Sequence, residues 1–191
     1  MILSLQYLRG VAACMVVWFH CGAQIQRMGG VPLPLHAAGE YGVDIFFVIS
    51  GMVMWVTTAG RAMPPAEFLR RRVERIAPLY WLVTAVVAFV ALAAPALLHS
   101  THFDSAHLLA SLLFFPWPNP VDGSHTPVLV PGWTLNYEMF FYLLFALALL
   151  LPRGWRPPAV LAMLAAAVAI GAGATQESLR GFYGDPMILE F

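Results

Sequence analysis

The chain is 191 residues long, 60% hydrophobic and only 10% charged, with no formal net charge and a mean hydropathy of +0.75. Soluble domains carry about a quarter charged residues, so the composition excludes an ordinary soluble domain and indicates a polytopic, all-α membrane bundle. All ten basic residues are arginine and acids match them in number, so there is no electrostatic footprint for nucleic acid.

The first predicted span covers 5–25 and holds Arg9 and His20, eleven positions apart. Eleven helical steps return to within about 20° of the start, roughly 16 Å further along, so the two share a face. Gln6 and Gln24 fall on the same stripe, whereas Val11, Met15, Trp18 and Phe19 do not. Ionisable groups inside a membrane helix are costly and mark a polar cavity or a reaction path. Structural glue inside a bundle is the alternative. Cys14 and Cys21 are about 10 Å apart on this helix, too far for a bridge, and read as packing residues. A thiol acyl carrier at Cys21, beside His20, is the alternative. No basic region precedes the span and further spans follow, so a cleaved signal peptide is not expected.

A second span over 40–59 places Asp44 roughly 6 Å inside its outer end. The next loop contains Arg61, Arg70, Arg71, Arg72 and Arg75. It reads as a short surface helix, with Phe68, Leu69, Val73 and Ile76 opposite a basic face. Arg72 and Arg75 are one turn apart, a spacing suited to bidentate phosphate contacts. Spacing alone favours contact with anionic lipid.

A third span is expected over 76–98. Within 99–131, the apolar run 107–115 is too short to cross and is expected to lie in the interface or re-enter. Pro116, Pro118 and Pro120 then prevent regular helix. His99, His102, His107, Asp104 and Asp122 match no metal-ligand spacing, so a polar surface loop without metal is expected.

The fourth span, 132–151, carries Glu138 roughly 9 Å in, on one face with Thr134 and Tyr142. Trp133 and Tyr137 sit at interface depth, where aromatic rings anchor helices or stack on sugars. A fifth span covers 158–175, and a sixth apolar stretch opens at Pro186 and runs to Phe191. That makes five full spans and the start of another, as in the front half of a longer protein.

Arginine distribution sets the orientation. The loops after the second and fourth spans hold seven arginines, among them Arg153 and Arg156, against Arg27 and Arg180 on the other side. The N-terminus is therefore expected in the cytoplasm. His20, at roughly 8 Å depth, then shares one level with Asp44 and Glu138. An imidazole beside carboxylates can take a proton from a hydroxyl.

Four blocks at these positions resemble the acyltransferase family 3 membrane proteins, particularly the branch acetylating exopolysaccharides and other surface glycans. They run from Leu5 through Arg9 to Trp18 and His20, and from Gly42 through Asp44 to Ser50 and Gly51. The others run from Arg72 and Arg75 through Pro78 to Tyr80 and Trp81, and from Gly132 and Trp133 through Asn136, Tyr137 and Glu138 to Tyr142.

The resemblance implies transfer of an acyl group, usually acetyl from acetyl-CoA, to a sugar hydroxyl outside the inner (cytoplasmic) membrane. On this reading His20 is the base or acetyl relay and Arg9 its partner. Glu138 joins them as a catalytic carboxylate, Arg72 and Arg75 meet the CoA phosphates, and Asp44, Ser50, Trp133 and Tyr137 line the site. No permanently bound cofactor or metal is implied; the partners are the bilayer, acetyl-CoA and an extracytoplasmic saccharide. Members of the family are longer, so residues 1–191 correspond to an N-terminal half with the C-terminal half absent, and an inactive fragment is one alternative. A proton-coupled transporter or flippase is the other, with His20, Asp44 and Glu138 as its relay. The Gly/Pro-broken helix pairs of such sites are not evident.

Overall fold

The computed structural model describes residues 3–31, 33–60, 63–98, 101–175 and 178–191; the sequence readings at Arg61 and His99 fall outside them. Among the described residues every regular element is helical. The α-helices are α1 (Leu3–Arg27), α2 (Tyr41–Thr58), α3 (Pro65–Ala93), α4 (Ser105–Leu112), α5 (Trp133–Ala148), α6 (Arg156–Gly171) and α7 (Leu179–Tyr183). The chain divides into two compact units, residues 1–61 with 190–191 and residues 62–189.

Four described segments are long and apolar enough to cross a membrane: Leu3–Arg27, His36–Thr58, Pro65–Ala93 and Arg153–Gly171. The protein is thus an all-α membrane protein, with differences from the expected spans. The second crossing opens at His36 because a 3₁₀ turn, His36–Glu40, runs directly into α2. The expected surface helix and third span are one 29-residue helix, α3, started by Pro65 at its first turn. Pro78 removes one backbone donor within it, yet the helix continues.

The fourth expected span is the 16-residue α5, about 24 Å long and short of the ~30 Å hydrocarbon layer. Pro131 in the preceding 3₁₀ turn and Pro152 after its end limit its length. Pro186–Glu190 forms a 3₁₀ turn, where the sequence alone suggested the opening of another span.

In the first unit, α1 and α2 meet through glycines. A Cβ on Gly39 would lie 2.3 Å from the Met15 carbonyl, and one on Gly42 would lie 2.7 Å from that of Ala12. Small residues let membrane helices approach this closely. Gly22 receives the His36 side chain, whose Nδ1 donates to the Leu33 carbonyl at 2.9 Å. Phe191 stacks on Phe47, with ring centroids 4.3 Å apart.

The core of the second unit is aromatic. Phe68, Phe141 and Phe145 are almost wholly buried. Phe68 lies against Phe145 at 5.2 Å, and Gly132 receives the Tyr80 ring. Partners on α5 fall in number as those on α3 rise, so the two helices are antiparallel. Residues 101–131 pack against the middle of α3. There the Tyr80 hydroxyl donates to the Ser111 carbonyl (3.1 Å) and the Trp81 indole to that of Leu112 (2.8 Å).

Candidate functional site

Helix α1 is unbroken between Arg9 and His20, so the two project from one face. His20 is exposed within the chain, Arg9 is half-buried, and the His20 ring meets Phe19 edge-on at 5.4 Å. An open apolar groove of about 810 Å³ lies on the other side of α1. Its lining includes Tyr7, Val11, Trp18 and Leu35. Val11 is nine positions from His20, half a turn round the helix. The groove is separate from the polar stripe.

Asp44 is not at the height of His20. Gly22 faces His36, Phe19 faces Gly39 and Ala12 faces Gly42. This antiparallel register puts Asp44 opposite the neighbourhood of Ala12, about 12 Å along the axis from His20 and nearer the height of Arg9. The expected depth does not hold because His36, not Glu40, meets α1 near its end, at Gly22. Asp44 and Ser50 are both half-buried on α2.

In the second unit, the structure brings together residues from two sequence blocks. The Arg72 guanidinium carbon lies 5.2 Å from the Phe68 ring centre and 5.9 Å from that of Tyr142. The Tyr142 hydroxyl donates a short hydrogen bond to Glu138, one turn earlier on α5.

The arginines of α3 thus separate by role. Arg72 turns inward among aromatic rings, while Arg70, Arg71 and Arg75 are exposed. Arg70 pairs with Glu67 (2.9 Å) and Glu74 (2.7 Å), and Arg71 with Glu67 (2.6 Å). The expected basic face is therefore interleaved with acids. The inward turn of Arg72 favours a specific role over simple lipid contact.

Tyr142 and Phe68 were absent from the expected site. Tyr142 was visible as the residue one turn beyond Glu138; its contact with Arg72 needs tertiary pairing that no local pattern encodes.

Tyr137 is only 3% exposed and stacks on Phe182 at 4.3 Å, so its faces are occupied by protein. Trp133, edge-on to Tyr137 at 5.8 Å, keeps a partly open ring. Asn136 between them is buried, and among the described residues neither amide atom has a hydrogen-bond partner.

The segment expected to be a polar surface loop is folded. His107 is 1% exposed; its Nε2–H donates to the Thr126 carbonyl at 2.9 Å, and Asp104 caps α4 by accepting its backbone N–H. The Ser124 hydroxyl and backbone N–H hold the exposed Asp122 carboxyl below its ordinary range. Among the described residues no group of three or more metal-ligating side chains occurs.

The acyltransferase domain profile matches residues 2–189. The chain is 46% identical over 154 residues to the exopolysaccharide production protein ExoZ of Rhizobium meliloti (strain 1021), covering 80% of this chain and 48% of that protein. It is 33% identical over 154 residues to the acyltransferase MdmB of Streptomyces mycarofaciens, covering 75% of this chain and 38% of that one. Identity to protein 2 in the picA locus of Rhizobium radiobacter is 30% over 155 residues, covering 73% and 78%. The chain spans about half or less of the length of the first two relatives. No solved structure matches it. With the profile running nearly end to end, the chain belongs to acyltransferase family 3.

Proposed function

We propose that this chain carries the donor-binding and proton-handling residues of a membrane O-acyltransferase that moves an acetyl group from acetyl-CoA to a sugar hydroxyl of an exopolysaccharide. The observation that carries the reading is the unbroken α1, which keeps Arg9 and His20 on one face, in a chain of this family. The similarity to an exopolysaccharide production protein supports the acceptor class. We place the protein in the inner membrane with its N-terminus in the cytoplasm.

In the proposed reaction the sugar oxygen attacks the thioester carbonyl carbon. A C–O bond forms and the C–S bond breaks. His20 takes the hydroxyl proton and returns it to the departing CoA thiolate; in the relay variant its ring carries the acetyl group between the two. Arg9, one face and about 16 Å away, places a fixed positive charge on the same stripe. Arg72 and Arg75 hold the phosphates of CoA by charge-assisted hydrogen bonds. Asp44 and Ser50 serve as substrate-binding residues of the first unit and Trp133 of the second.

The test uses detergent-solubilised protein with acetyl-CoA, with and without a saccharide acceptor. Thiol release is expected only with the saccharide, and His20→Ala is expected to abolish it. Turnover retained in that variant removes His20 from the chemistry, and acetyl-CoA left intact by the wild-type protein with every saccharide tested refutes the reaction.

A further inference from the structure

We propose that Glu138 and Tyr142 serve the donor side of this reaction, as positioning residues that hold the Arg72 guanidinium for an anionic group of the acyl donor. The inference rests on the acyltransferase reading above and changes the role first expected for Glu138, that of an acid paired with the His20 imidazole.

The argument begins with Arg72. Its guanidinium carbon is within 6 Å of two ring centres, Phe68 and Tyr142. Both rings are themselves fixed: Phe68 is 0% and Tyr142 2% exposed. Aromatic faces attract a guanidinium and restrict its orientation, and a guanidinium so oriented suits bidentate recognition of a planar anion or a phosphate.

The Tyr142 hydroxyl donates to Glu138, so one side chain couples a carboxylate to the surface on which the arginine rests. Arg70 and Arg71 are exposed and pair with Glu67 and Glu74 on the same helix. Of the arginines on α3, Arg72 alone is both inward-facing and backed by rings.

The experiment titrates acetyl-CoA at fixed saccharide, using the full protein in detergent. Tyr142→Phe keeps the ring and loses the hydroxyl, and Glu138→Gln keeps shape and loses charge. Each is expected to raise KM for acetyl-CoA about tenfold, the order set by one charge-assisted hydrogen bond, with kcat nearly unchanged. Adding Tyr142→Phe to Arg72→Lys is expected to raise KM little beyond Arg72→Lys alone. A fall in kcat at saturating donor with KM unmoved would return both residues to the His20 side and overturn the proposal.

A thermal cycle separates this failure from failure of the acyltransferase reading. If the wild-type protein leaves acetyl-CoA intact, that reading fails. The triad is then judged by Tm: losses from Arg72→Lys and Tyr142→Phe that are less than additive support it, and additive losses reject it.

Discussion

Asn136 and Ser111 are both buried polar residues, and they pose opposite cases. The Ser111 hydroxyl is fully used: it donates to the His107 carbonyl at 2.7 Å and accepts the Val128 N–H at 3.0 Å. Ser111→Ala leaves a buried N–H without an acceptor, an expected loss of about 1–3 kcal/mol, read as a lower Tm. Asn136 instead buries an amide with neither atom paired among the described residues. Replacing such a group by an apolar one of similar shape is neutral or stabilising. Asn136→Leu is therefore expected to raise Tm. If Asn136 is kept for function, the same variant loses acetyl transfer; a Tm loss like that of Ser111→Ala would show that the amide is satisfied in the folded protein.

Helix pairing makes a second contrast, between Gly39 and Gly10. A methyl at Gly39 would press on the Met15 backbone carbonyl, which cannot move aside as a flexible side chain would. Gly39→Ala is expected to cost about 1–3 kcal/mol, the usual penalty of overpacking. At Gly10 nothing lies within 4 Å of the added Cβ, so Gly10→Ala should stabilise α1 by roughly 0.5–1 kcal/mol through lower backbone entropy. Thermal unfolding of the two variants side by side checks both signs.

These elements also show what the sequence could reveal. Apolar runs located α1 and α2 well, because most of their surface faces lipid or a single neighbour. Hydropathy split the surface helix from the third span, which the structure joins as α3, because the charged residues between 67 and 75 break the apolar run without breaking the helix. Nor could it show that His36 meets Gly22, the contact that sets the height of Asp44 against α1. His107 was legible only as a polar residue in a loop; its burial depends on Thr126, nineteen positions away. The Arg72–Tyr142 contact spans seventy positions and became visible only once α3 and α5 were paired.

Orientation is a property of the whole chain, and the donor reading depends on it. Acetyl-CoA is a cytoplasmic thioester, so the α3 arginines must face that side while the saccharide approaches from the other. Five of the seven arginines that fix this expectation lie in 61–75. The structure pairs Arg70 and Arg71 with Glu67 and Glu74, which reduces the net charge of the segment. The positive-inside bias follows arginine and lysine, with acids contributing little, so these pairs leave the proposed orientation unchanged and open to a direct test. Alkaline phosphatase, active only outside the cytoplasm, is expected to be inactive when fused after Gly60 and active when fused after Gly123. Both fusion points lie at exposed turns with positive φ, where the helices are not interrupted. The reverse result would put Arg72 and Arg75 on the side that lacks acetyl-CoA, and both the proposed donor site and the role assigned to Glu138 would fail together.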